Sequence, residues 1–268
     1  INAQIKFKIV NKKNIWKTTI GFFKCDVTNF KRFKNISHKA DVMVHLAANT
    51  GVQPSVVNPK KDFLYNCNGT INALEICRIN NIKKFIFSSS GAPLGAQKPP
   101  HHENVVPKPI SPYGASKLSG EAYCSAYAHT YNIDSVALRF GNVFGPGSTH
   151  KSSIIAKFIK NALLRKKFEI YGDGKQTRDF IFIDDLINAI YKAMVHKLKG
   201  GEVFQISPGT ETNINEVTKY IIESLENHGI ATPKVIYSRS RLGDAKKTYS
   251  DSSKARKILK WKPETSLK

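Results

Sequence analysis

Short apolar runs alternate with segments of helical period through the first half of the chain, the pattern that a parallel α/β sheet produces. Residues 18–23 read as a strand leading to Lys24, Cys25, Asp26 and Val27, and residues 41–46 as a second strand. The second is apolar at nearly every position, as a strand buried on both faces requires. Residues 70–79 read as a helix with Ile71, Ala73, Leu74 and Ile76 among its apolar positions. Residues 84–87 form the next strand, with Ser88, Ser89 and Ser90 at its C-terminal end, and residues 135–140 form another. Ligand chemistry in open α/β sheets gathers beyond the carboxyl ends of strands, where Ser90 and Gly141-Asn142 fall.

The texture changes after Gly145-Pro146-Gly147. Helical segments at residues 154–165, 184–197 and 214–227 are now separated by short strands. The pattern predicts a first domain over 1–147 and a smaller α+β domain over 148–268, with 180–206 packing back on the first. Residues 91–110 carry five prolines and no periodicity, which predicts an ordered connection near the strand ends.

Candidate chemistry centres on Ser111-Pro112-Tyr113-Gly114-Ala115-Ser116-Lys117. Ser111 suits an N-cap and Pro112 the first helical position, so a helix starts just before Tyr113. Tyr113 and Lys117 then share one helix face at i and i+4. An ammonium beside a phenol stabilises the phenolate and lowers the tyrosine pKa toward neutrality, a proton-transfer arrangement. Alone, so short a pair would read as one buried phenol and one solvated lysine. The segments around it decide.

Composition narrows the picture. The 268 residues suffice for one large domain or two modest ones, and no apolar run reaches membrane-spanning length. No hydrophobic signal segment opens the chain, so the cytoplasm is the expected location. Cys25, Cys67, Cys77 and Cys124 are scattered without metal-ligand spacing, so reduced thiols are expected and a zinc site is not. The 42 Lys and Arg against 20 Asp and Glu give a net charge of +22. Much of it lies in dispersed pairs such as Lys60-Lys61 and Lys166-Lys167, without a nucleic-acid-binding motif. Such a field attracts a small anionic substrate.

Taken in order, the motifs resemble those of the extended short-chain dehydrogenase/reductase superfamily, in its NAD-dependent epimerase/dehydratase branch of nucleotide-sugar enzymes. The resemblance runs from about Asp26 to the C-terminus. It implies an α/β fold: a Rossmann-like doubly wound parallel sheet with a smaller α+β substrate-binding domain. It implies NAD as cofactor, with Asp26 and Val27 at the adenine and Leu46, Ala47, Ala48 and Thr50 along the diphosphate and ribose. Asn66, opening an Asn-x-x-Gly-Thr segment, and Ser88 join this cofactor-binding set. Ser90, Tyr113 and Lys117 match the catalytic positions: Ser90 on a sugar oxygen, Tyr113 as acid/base, Lys117 on the nicotinamide ribose. Asn142, Arg178 in Tyr171-Gly172-Asp173-Gly174-Lys175-Gln176-Thr177-Arg178-Asp179-Phe180, and Arg241 in Arg241-Leu242-Gly243-Asp244 match substrate-binding positions, the arginines on a diphosphate.

Two departures shape the expectation. No Gly-rich turn precedes Asp26, so about one βαβ unit of the Rossmann domain is missing and the sequence reads as a fragment truncated at both ends. Gly91-Ala92 occupy the positions where the dehydratases of this family carry Asp-Glu, so dehydration is not implied. The reading is a UDP-glucose 4-epimerase-like activity: transient oxidation at C4 of a UDP-hexose and reduction from the other face. A UDP-glucuronate epimerase or decarboxylase and a 4-keto-sugar reductase are the enzymatic alternatives, and a non-catalytic binding module the alternative of another class. The expected partner is a nucleotide-diphosphate sugar, with neither nucleic acid nor membrane. Leu118, Ala122 and Ala126 on the Tyr113 helix allow a homodimer.

Overall fold

The computed structural model describes residues 21–38, 40–149, 151–240 and 245–268. The chain runs through α1 (Phe30–Ile36), β1 (Val42–His45), α2 (Val52–Val57), α3 (Pro59–Phe63), a π-helical turn (Leu64–Asn68), α4 (Gly69–Ile79) and β2 (Lys84–Ser90). A 3₁₀ turn (Ala92–Leu94) leads toward α5 (Pro112–Tyr131), β3 (Asp134–Phe140), β4 (Asn142–Phe144), α6 (Ile154–Leu163) and β5 (Phe168–Tyr171). The last part holds β6 (Thr177–Arg178), β7 (Phe180–Phe182), α7 (Ile183–Val195), β8 (Glu202–Ile206), β9 (Thr212–Asn213), α8 (Ile214–Asn227), β10 (Val235–Ser238) and α9 (Ser253–Ile258).

The main sheet is parallel, in the order β1-β2-β3-β8. Its register sets Val44 opposite Ile86, Ile86 opposite Val136 and Val136 opposite Glu202. Alternation along each strand divides the apolar residues between two faces. Phe85, Phe87 and Ala137 pack with Leu74 and Cys77 of α4 and Cys124 of α5. Ile86, Val136 and Leu138 pack with Leu186, Ala189 and Ala193 of α7 and with Trp261. Helices on both faces make the architecture doubly wound, and they explain why these strands read as continuous apolar runs. A third cluster joins α6 and α8 to β5 and β7 through Phe158, Phe168, Phe180, Val217 and Ile221.

Two local readings change. The strand expected at 18–23 lies partly outside the described residues, and Gly21, Phe22 and Phe23 form no strand. Phe22 and Phe23 are 59% and 63% exposed, without a neighbouring strand to pair with among the described residues. The strand expected at 84–87 runs on through the serines, because β3 continues beside it to pair Ser90 with Phe140. Asp185, in the acidic first turn of α7, also reaches the C-terminal segment. Its buried carboxylate accepts the backbone N–H groups of Glu264 and Thr265, at 2.9 and 3.0 Å, tying the C-terminal segment to the fold. No helix among the described residues is long and apolar enough to cross a membrane.

The crossing of α5 over β2 positions the site. Gly120 makes that crossing close: a Cβ there would meet the Phe87 ring at 2.3 Å, and Phe87 is fully buried. Gly120→Ala must therefore push α5 away from the sheet. Overpacking of this kind costs about 1–3 kcal/mol. Thermal unfolding should show the loss, and an alanine variant as stable as the parent would contradict this account of the crossing.

Candidate active site

Ser111 caps α5, its Oγ accepting the Gly114 N–H at 3.1 Å, and Pro112 opens the helix. Gly114 lets the first turn approach the Ala92 carbonyl, which a Cβ would meet at 2.6 Å. The Tyr113 N–H, with no partner inside its own helix, donates to Ser55 Oγ of α2 at 3.0 Å. The turn bearing the phenol is thus fixed from two sides.

Lys117 is 3% exposed, and its Nζ donates to the Ser88 carbonyl at 2.7 Å. The ammonium lies 4.9 Å from the centre of the Phe87 ring and 5.9 Å from that of Tyr113. Burial pulls the Lys117 ammonium down to about 8, against the opposing charges of Asp62 and Glu121. The Tyr113 phenol moves opposite to the sequence expectation. Desolvation pushes it up to about 12; a hydrogen bond with the Ser90 side chain works the other way, and the Asp62 charge adds to the rise. Burial outweighs the Ser90 hydrogen bond here.

Beside Tyr113 lies a cavity of about 670 Å³ whose wall includes Thr50, Ser90, Tyr113, Asn142 and Arg178. Ser90 Oγ also accepts the Ala92 N–H at 3.2 Å, which orients the hydroxyl at the strand end. Arg178 reaches the cavity with its Nη1 donating to the carbonyls of Thr177 and Ala245, at 2.7 and 2.9 Å. Asp179 braces the same wall, its carboxylate accepting the N–H groups of Gly209, Thr210 and Ser250. Arg241 lies outside the described residues.

Other candidate residues stand farther back. Leu46, Ala47 and Ala48 follow the end of β1, with Leu46 exposed. Asp26 forms a turn in which Oδ1 accepts both the N–H and the hydroxyl of Thr28. Val27 packs on Gly69 at the start of α4. Ser88 spends its hydroxyl on the His45 carbonyl at 3.0 Å, so its functional group is the carbonyl that holds Lys117. Asn66 is a brace: its Oδ1 accepts the Asn49 N–H, and its Nδ2 donates to Asp62, to the Asn49 carbonyl and to Ser116 Oγ.

Sequence reasoning missed the layer beneath. Arg139 of β3 and Glu121 of α5 form a buried, paired-donor ion pair at 2.8 and 2.7 Å, and Ser89 Oγ donates to the same carboxylate. Asp62 lies under the first turn of α5 with Asn49, Asn66 and Ser116. Helical spacing carried the signal in both cases: Glu121 is four residues after Lys117, and Asp62 four before Asn66.

A nicotinamide dinucleotide fits these residues. Of the three Lys117 donors, one is spent on Ser88 among the described residues, leaving others for ribose hydroxyls. Small side chains at Ala47 and Ala48 leave the β1 end open to close backbone approach.

A family model for the NAD dependent epimerase/dehydratase family matches residues 5–207. The chain is 36% identical over 250 residues to a UDP-glucuronate 4-epimerase of Thermodesulfobacterium geofontis, covering 92% of this chain and 75% of the relative. Among solved structures it is similar to a UDP-glucose 4-epimerase of Thermotoga maritima with UDP-glucose. That match has a TM-score of 0.85 and 33% identity, and covers 92% of this chain and 80% of the other. A UDP-glucuronic acid 4-epimerase of Bacillus cereus, in complex with UDP-glucuronic acid and NAD, matches with a TM-score of 0.81 and 32% identity, covering 90% and 76% of the two chains. By its sequence, its doubly wound sheet and these likenesses, the chain belongs to the NAD dependent epimerase/dehydratase family.

Proposed function

We propose that the chain is a nucleotide-sugar 4-epimerase acting on a UDP-hexose with NAD. The observation that carries the reading is the placement of Ser90, Tyr113, Asn142 and Arg178 on one cavity wall, with Lys117 buried directly behind the phenol. Family relatives that share about a third of its sequence are UDP-sugar 4-epimerases.

NAD supplies the acceptor and the donor of the C4 hydride. Lys117 holds the nicotinamide ribose, and Asp26, Val27, Leu46, Ala47, Ala48 and Thr50 hold the rest of the dinucleotide. Asn66 and Ser88 support that site through the loop after β1 and through Lys117. Tyr113 Oη takes the proton of the C4 hydroxyl as the sugar is oxidised and returns it when the 4-keto sugar is reduced on its other face. Ser90 Oγ holds the C4 oxygen within reach of the phenol. Arg178 and Arg241 hold the diphosphate while the hexose turns, and Asn142 contacts the diphosphate or sugar. Most binding energy then comes from the part of the substrate that does not react. Gly91 and Ala92 carry no acid or base, which leaves C5 and C6 untouched.

On this reading, residues 148–268, apart from the 180–206 stretch packed on the main sheet, form the nucleotide-sugar side. The free cysteines suit a reducing compartment, and the proposed location is the cytoplasm. Two copies pair through α5 and the helices before it. Exposed Ala115, Ala122 and Ala126, half-buried Leu118, and exposed Phe63 and Leu64 make the uncovered apolar face that supports this.

Three outcomes test the proposal. Purified protein supplied with NAD should interconvert the C4 epimers of UDP-glucose or UDP-glucuronate, with products resolved by NMR. Tyr113→Phe should lower the rate by at least about 10²-fold and leave NAD affinity nearly unchanged; an undiminished rate would remove Tyr113 from the chemistry. In sedimentation the parent should run at twice its 29.9 kDa chain mass and Ala122→Glu as a monomer. A monomeric parent would refute the pairing.

A further inference from the structure

Asp62 of α3 is 1% exposed. Its Oδ1 accepts from Asn49 Nδ2 at 3.3 Å and from Asn66 Nδ2 at 3.0 Å, while its Oδ2 is buried without a hydrogen-bond partner among the described residues. A buried carboxylate oxygen left bare is costly unless a positive charge nearby compensates it. Lys117 is the buried cation of the site, and no carboxylate among the described residues is within ion-pair distance of it.

Two buried carboxylates act on Lys117 through space: Asp62 from α3 and Glu121 from the next turn of α5. Glu121 is already committed to both arms of Arg139 and to Ser89. Asp62 has no cationic partner at contact, so its charge remains for Lys117. It is also tied mechanically to the catalytic turn. Asn66 links Asp62 to Ser116 Oγ at 3.0 Å, and Ser116 Oγ donates to the Tyr113 carbonyl at 3.0 Å.

We propose that Asp62 is a positioning residue for the proton-transfer pair: it anchors the amide cluster under the first turn of α5 and supplies the remote counter-charge that keeps buried Lys117 an ammonium. The assignment rests on the reading of Tyr113 and Lys117 given above. The other groups facing the pair carry no uncompensated charge. His45 of β1 is pushed down to about 3 by burial and by Lys117, so it is neutral. The thiols of Cys67 and Cys124 are pushed up by burial and stay protonated. Arg139 is neutralised by Glu121. Asp62 raises the proton affinity of Lys117 and of Tyr113 alike.

The test needs neither cofactor nor substrate. Lys117 titrates near 8 in the folded protein against an ordinary 10.5. The unfolded chain therefore binds more protons between those values, and parent stability relative to Lys117→Met should rise with pH from about 8. Comparing Asp62→Asn with Asp62→Asn/Lys117→Met should show that rise beginning about 1 pH unit lower. Should the asparagine variant fail to fold, Asp62→Ser carries the same expectation. An onset unchanged by loss of the Asp62 charge would overturn the proposal. In turnover, both limbs of the pH–rate profile should move acidward by a similar amount; a rate lowered evenly at all pH values would mark a merely structural role and also overturn it. If the onset shifts but the parent epimerises no UDP-sugar, the Asp62 assignment stands and the functional reading fails.

Discussion

A lysine ammonium held under the crossing of α5 and β2 is the constraint on which the rest of this site depends. It can be buried there because the strand end offers it a carbonyl: Ser88 turns its hydroxyl to His45 and its C=O to Lys117. The Phe87 ring takes one flank of the cation, and Gly120 allows the helix close enough for both contacts. Tyr113, one turn back, is then delivered to the cavity wall beside Ser90. The sheet edge, the helix and the cavity share one geometry because this one charge must be satisfied within it.

The polar layer below carries the cost of that burial. Glu121, Arg139 and Ser89 form a neutralised set between α5 and the two central strands, joined to the sheet by paired guanidinium bonds. Asp62, Asn49, Asn66 and Ser116 form a second set between α3, the π-helical turn and α5. Both lie in low dielectric, where each bond is strengthened and a missing one is costly; Asp62 Oδ2 and Arg139 Nη1 are left without a partner among the described residues. On the proposed function these networks would hold the phenol in place relative to the sugar oxygen, where a misplacement of about 1 Å costs rate heavily.

Much of this was legible in the sequence, for identifiable reasons. The strands at Val42, Lys84 and Asp134 announced themselves by unbroken apolar runs, because both faces of the sheet are covered. The start of α5 was written in Ser111 and Pro112, whose local chemistry needs no tertiary partner. Helix α8 begins at Ile214 behind Asn213, whose side chain forms a reciprocal cap with Glu216. The rest depends on partners distant in the chain. Nothing local says that Ser88 offers its carbonyl and not its hydroxyl, that Asp185 binds the backbone of Glu264, or that β2 continues through three serines because β3 runs beside them. The direction of the Tyr113 pKa failed for the same reason: spacing shows the lysine one turn from the phenol and hides the desolvation that raises it.

The central claim is that one site removes hydride from C4 and returns the same hydride to the opposite face, with Tyr113 exchanging only the hydroxyl proton. Carrying deuterium on C4 of UDP-glucose through turnover in ordinary water tests it most directly. The account predicts that the C4 epimer retains deuterium at carbon 4, observed by NMR, while label placed at carbon 5 is equally undisturbed. Loss of the C4 label to solvent, or wash-out at carbon 5, would mean that inversion proceeds by proton removal from carbon, and would contradict it.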